Sequence, residues 1–186
     1  DLVPVRYMLI DDGHQDFANP DEYFDRRLRR FAPDATKFPD GFAPLLAKRD
    51  EAGLAWFGLW LPFCAGMAGL DPGLEHPDLP PERLVSNAAG GLLPADDPPA
   101  ARAFMEALLD SAAGFDFIKV DFMSFAIAWL AGARNWRDAL HEPDRQPGAN
   151  PYRHARRMNR ALEDSLAGRS MDLMNCNGQA AYNLFN

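Results

Sequence analysis

Only two cysteines occur in these 186 residues, Cys64 and Cys176, far apart and without CxxC spacing. That argues against a disulfide framework and gives a zinc site no starting pair, so both are read as reduced thiols in the core or a pocket wall. No stretch stays apolar for the ~18 residues a membrane span needs, and no basic region followed by an apolar one opens the chain. Positive charge is in deficit: 19 Lys and Arg stand against 27 Asp and Glu, a net charge of -8. This speaks against nucleic acid or an anionic membrane surface as the main partner and leaves neutral or cationic ligands open. There is no GxGxxG after the first strand and no P-loop, so nucleotide binding has no support and no cofactor is expected. With no targeting information the localisation is open, the cytoplasm being favoured.

What is present suits one domain with a real core: 47% of the residues are hydrophobic, an ordinary globular fraction. The central stretch is 115–122, Phe-Asp-Phe-Ile-Lys-Val-Asp-Phe. It is apolar, aromatic and β-branched, which predicts a buried strand, yet Lys119 and Asp121 fall on one face at its C-terminal end. Buried charges need a reason. Either Lys119 and Asp121 form a pair that fixes the sheet, or the strand opens onto a ligand site where a carboxylate serves as nucleophile or base.

Three other segments repeat the pattern. Residues 5–10 predict a first strand that ends in Asp11-Asp12-Gly13-His14-Gln15-Asp16; residues 54–60 predict a second, and 171–178 a fourth with polar residues at its end. Between them the pattern predicts a helix that starts from a turn at Pro39-Asp40-Gly41 and runs to about Ala52, and helices from Pro99, over 122–140 and over 152–166. Residues 17–39 read as a long connection with a helical turn, whose arginines form a solvated face or an anion site. Residues 66–98, rich in Pro and Gly, read as a long loop above the second strand's end. Strands alternating with helices, with polar residues after each strand, predict a parallel α/β fold. The strand spacing of about 50 to 60 residues exceeds the ~30 of a plain unit of an eight-stranded barrel of ~250 residues.

The strand-end residues have alternative readings. Asp11 and Asp12 suit either hydrogen bonds to a ligand or a turn and helix cap. Trp60 suits either a ligand-site wall or the core, and His14 either a ligand contact or an exposed loop histidine.

The segment Val5-Arg6-Tyr7-Met8-Leu9-Ile10-Asp11-Asp12-Gly13-His14-Gln15 resembles the strand and Asp-Asp-Gly-Trp-Gln motif of the α-galactosidase and raffinose synthase group, glycoside hydrolase family 36 and its seed-imbibition relatives. Arg27-Leu28 to Lys37-Phe38-Pro39-Asp40-Gly41, Gly53-Leu54-Ala55-Trp56-Phe57-Gly58-Leu59-Trp60 and Phe117-Ile118-Lys119-Val120-Asp121 resemble that group's following segments in order. The resemblance runs from Val5 to about Asn186. It implies a (β/α)8 TIM barrel of which residues 1–186 are a partial catalytic domain, strands two to five, and a fragment of a longer chain. It implies a retaining hydrolase of α-galactosides with Asp121 as nucleophile. Lys119, Asp11 and Asp12 would then hold galactose hydroxyls, Trp60 would line the sugar site, and Cys176 and Asn177 would lie in the Cys-containing sugar-contact loop. His14 departs from the family's Trp, and the family's acid/base aspartate lies on the next strand, past Asn186.

The chemistry fits these residue types: a retaining glycosidase needs one carboxylate to attack the anomeric carbon and another about 5 to 5.5 Å away to protonate the leaving oxygen. Other readings are a galactosyltransferase of the raffinose synthase type, a non-catalytic carbohydrate-binding fragment, and a barrel enzyme with Mg²⁺ on Asp11, Asp12 and Asp121. No metal is expected on the favoured reading. The expected partners are an α-galactoside and either the rest of the barrel or further copies of the chain. Alone, residues 1–186 are expected to be inactive and marginally folded or associated, because four parallel strands cannot close a barrel of eight.

Overall fold

A computed structural model describes residues 5–130, 132 and 151–176 of the chain. Four strands, β1 (Tyr7–Ile10), β4 (Trp56–Pro62), β7 (Phe117–Asp121) and β8 (Asp172–Asn175), form one parallel sheet in the order β1-β4-β7-β8. Each therefore lies beside its predecessor, without the reversal of order that marks a doubly wound sheet. The described strands do not close into a barrel. All four were legible in the sequence, and each joins the next through a helical segment. These are α1 (Ala43–Glu51), then α2 (Pro98–Asp110), then the pair α3 (Met123–Leu130) and α4 (Pro151–Ala167).

The sheet's two faces follow from the alternation of strand side chains. Phe57, Leu59 and Leu61 of β4, with Ile118 and Val120 of β7, belong to one buried cluster with Phe104, Met105, Leu108 and Leu109 of α2. Helix α2 starts where Asp97 Oδ1 accepts from the Ala100 N–H at 2.9 Å and Pro98-Pro99 pre-set the first turn. Its apolar stripe faces the sheet, and it also packs against α4. On the opposite face, cross-strand neighbours are Gly58 with Phe117, Trp60 with Lys119 and Pro62 with Asp121.

Two expectations change. Residues 17–39 are not a simple connection: β2 (Gln15–Phe17) and β3 (Leu28–Pro33) form a bulged antiparallel hairpin, with a 3-10 turn at Tyr23–Asp25 between them. Its arginines make a solvated face only in part, Arg29 and Arg30 being exposed and Arg26 and Arg27 half-buried. Arg29 and Arg30 both hold Asp16, at 3.4 and 2.7 Å, while Arg27 pairs with Asp71 and Arg26 with Asp12.

Residues 66–98 likewise contain a second hairpin, β5 (Leu84–Ser86) with β6 (Leu92–Pro94). Asn87 ties it down: Oδ1 accepts from the Ala89 and Gly91 N–H groups, and Nδ2 donates to the Ala68 carbonyl at 2.8 Å. The helix expected to follow the Pro39-Asp40-Gly41 turn and run to about Ala52 is α1, with Gly41 at φ 63° in the turn. The helix expected over 122–140 is seen as α3, and its remainder lies mainly outside the described residues, as do Asn177 and Gly178 of the fourth strand's expected end.

Candidate active site at the strand ends

The C-terminal ends of β1, β4, β7 and β8 bring the polar residues of the sequence together. Asp121, the last residue of β7, is 5% exposed. Its Oδ1 accepts from the Phe122 backbone N–H at 2.8 Å and its Oδ2 from the Trp60 indole N–H at 3.3 Å. Phe122 adopts φ 58°, a left-handed conformation unusual for an aromatic residue. Such a conformation persists only where the surroundings over-determine it. Here the Phe122 ring packs on Trp60, at 6.2 Å between centroids, while its N–H meets the carboxylate. Among the described residues Asp121 takes no ion pair.

Lys119 does not pair with Asp121 on its own strand. Its ammonium lies 3.0 Å from Asp11 Oδ2, passing across β4 to the end of β1. Burial works against charge on Asp11, but the Lys119 hydrogen bond and the Asp12 N–H outweigh it and hold the carboxyl below its usual range. Burial likewise opposes the Lys119 charge, and the Asp11 contact outweighs it, so the ammonium titrates above its ordinary value. Asp121 adds to that rise. Both partners are therefore ionised at neutral pH, and Lys119 supplies positive potential to Asp121.

Asp12 turns the other way. Its Oδ2 accepts from Arg26 at 3.2 Å, whereas Oδ1 is buried without a geometrically well-formed hydrogen bond among the described residues, the Tyr23 hydroxyl standing beside the carboxylate. Cys176 follows β8, its N–H donating to the Val120 carbonyl at 2.9 Å. Burial raises its thiol's pKa, the charge of Asp121 adds to the rise, and Lys119 opposes it. Cys64 is a buried thiol, also pushed up by burial.

Trp60 is 1% exposed, so it presents no open stacking wall; what it offers the site is its N–H on Asp121. His14 is neither an exposed loop histidine nor an open contact. It is 4% exposed, packs on Phe42 with centroids 5.5 Å apart, and donates from Nδ1 to the Asp11 carbonyl at 3.3 Å. Burial pushes its pKa down to about 4, so it is neutral at pH 7. Asn177 lies outside the described residues. Sequence reasoning missed Arg26 and Tyr23, which the β2–β3 hairpin brings to Asp12. The only signal for them was a charge-rich segment following the Asp-Asp pair.

The arrangement can do two things. It presents a carboxylate fixed by two N–H donors and, among the described residues, without an ion pair, a suitable nucleophile or base. It presents an ammonium and two carboxylates that can meet several hydroxyls. Metal binding fits less well, because Asp11 and Asp12 already hold cationic side chains and no group of three or more metal-ligating residues is arranged for an ion among the described residues. No family model matches the chain, and no curated protein matches it.

Proposed function

We propose that this chain carries the nucleophile side of a retaining glycosidase acting on α-galactosides, with Asp121 forming the covalent intermediate. The observation that carries the reading is the Asp121 carboxylate, held by two N–H donors at a strand end beside the Lys119–Asp11 pair. The order of the parallel strands is that of consecutive strands in a (β/α)8 barrel, whose active sites lie at this end. The motif resemblance to glycoside hydrolase family 36 supplies the substrate class.

In this reading an Asp121 oxygen attacks the anomeric carbon as the bond to the leaving oxygen breaks and that oxygen takes a proton from an acid. Water then attacks the same carbon, giving back the carboxylate and releasing galactose with its configuration retained. Lys119 donates to sugar hydroxyls while Asp11 and Asp12 accept from them, bonds that strengthen towards the transition state. Lys119 holds the Asp11 carboxyl below its usual range, and Asp12 and Asp16 are each taken up by arginines, so none of the three is offered to the leaving oxygen as the acid. The acid is therefore assigned to the next strand of the barrel. Transfer to a sugar acceptor would use the same intermediate.

The test is trapping with a fluorinated α-galactosyl fluoride, whose good leaving group needs little protonation and whose intermediate turns over slowly. Digestion and mass spectrometry should find one galactosyl adduct, on Asp121, and none in Asp121→Asn. A label on another residue, or turnover by Asp121→Asn equal to that of the parent, would remove the assignment.

A further inference from the structure

Arg26 stands where the β2–β3 hairpin meets the strand ends, and the chemistry proposed above gives it no part. Its guanidinium carbon lies 4.5 Å from the centroid of the Tyr23 ring and 5.3 Å from that of Phe17. Nε donates to the Pro20 carbonyl at 3.0 Å and Nη1 to Asp12 Oδ2 at 3.2 Å. A planar cation lying against two rings and bonded at two of its nitrogens has little rotational freedom left, and a lysine ammonium could not reproduce that geometry. Its side chain is 18% exposed and that of Asp12 is 19%, so solvent screens the pair only in part.

The consequence falls on Asp12. One oxygen is anchored to Arg26, and the other, Oδ1, is buried without a geometrically well-formed hydrogen bond among the described residues, the Tyr23 hydroxyl being the protein donor that stands beside the Asp12 carboxylate. A buried acceptor that is under-satisfied is unfavourable, and a hydroxyl donor from a ligand would complete what the Tyr23 hydroxyl alone supplies. The same hairpin reaches Asp121 by a second route. The Phe24 ring packs on Phe122 at 6.4 Å, Phe122 packs on Trp60, and Trp60 donates to Asp121.

We infer that Arg26 is a positioning residue, holding Asp12 by one oxygen so that the other accepts from a substrate hydroxyl, and that the β2–β3 hairpin is thereby part of substrate recognition. The inference rests on the glycosidase reading. A purely structural Arg26 would pin the hairpin to the sheet, and its loss would lower the melting temperature without a selective effect on substrate binding.

A double-mutant cycle in the complete barrel that the glycosidase reading requires separates the two, with 4-nitrophenyl α-galactoside as the probe. Arg26→Gln is expected to raise KM about tenfold or more with a smaller fall in kcat, as loss of a ground-state contact does. Arg26→Lys, which keeps the charge, should recover part of that loss, with the melting temperature little changed in both. Asp12→Asn should be about as impaired as the double variant, because both changes remove one unit.

Losses that multiply in the double variant, or an unchanged KM in Arg26→Gln, would overturn the inference. If Arg26→Gln does not fold, the cycle run with Arg26→Lys decides by the same criterion. Asp121→Asn is assayed alongside. If it turns over like the parent, the glycosidase reading fails and takes this inference with it; if it is inactive while the cycle is multiplicative, only the role of Arg26 fails.

Discussion

The two ends of the parallel sheet are built differently. At the C-terminal end the charged groups have specific partners: Lys119 with Asp11, Arg26 with Asp12, and Asp121 with two N–H donors. At the other end the same face carries aromatic side chains whose outer members stand in solvent. Tyr7 is 66% exposed and Trp56 42%, in edge-on contact at 6.1 Å, with Phe117 behind them over Gly58. The first end depends on direction, since hydrogen bonds weaken steeply when misaligned. The second depends on area and shape, since apolar burial has no direction. Substitutions at the first should therefore act on chemistry and at the second on stability or association.

The largest effect expected is that of Asp121→Asn, which keeps the side chain's shape and removes its nucleophilicity. In the complete barrel that the glycosidase reading requires, turnover of 4-nitrophenyl α-galactoside should fall by at least about a thousandfold with the circular dichroism melt little changed. Loss of the folded state instead would make Asp121 a structural residue and erase the contrast between the ends.

Next comes His14, on the border between the site and the core. Its folded pKa of about 4 lies below the ordinary 6.5, so the unfolded chain binds the proton first as pH falls. Stability contributed by the neutral ring is complete above about pH 6.5 and is lost as pH drops towards 4, by up to about 3 kcal/mol. Denaturant melts across that range should show the slope, and His14→Gln should flatten it. An equal slope in the variant would assign the acid sensitivity to the carboxylates.

A change at the other end tests shape alone. A Cβ at Gly58 would lie 2.2 Å from the Phe117 ring, so Gly58→Ala must displace that ring. It should cost about 1 to 3 kcal/mol, and adding Phe117→Leu should return part of it. Both are measured as midpoint shifts in urea.

The smallest effect is expected of Trp56→Lys, which should alter stability by about 0.5 kcal/mol or less, reduce concentration-dependent association in sedimentation velocity, and leave galactoside turnover at the parent's rate. Reduced turnover would mean that the two ends are coupled.

β1, β4 and β7 were legible because each is a largely apolar run whose local pattern suffices, and β8, with two polar residues in four, from its place after the helix that ends at Gly168. The hairpins were not. β5 and β6 are three residues each, and β2 pairs with β3 through two register irregularities, so neither shows a sustained alternation. The helix bounds at 98–110 and 151–167 were close to expectation, since proline opens both and their apolar stripes are regular.

By itself, then, the sequence determined which residues stand at the strand ends, because strand length and position are local properties of the chain. It also carried the aspartates and lysine that the proposed chemistry needs. Only the tertiary structure decided what each one meets. Lys119 pairs with a carboxylate 108 positions away rather than with the one two residues on, and Trp60 turns its N–H to a residue 61 positions away instead of offering its ring face. His14 became a buried neutral ring, and the arginines of the charge-rich segment became partners of Asp12, Asp16 and Asp71. The physical reason is that ion pairs and hydrogen bonds form between groups that folding brings within about 3 to 4 Å, and no local pattern in the chain specifies such distances.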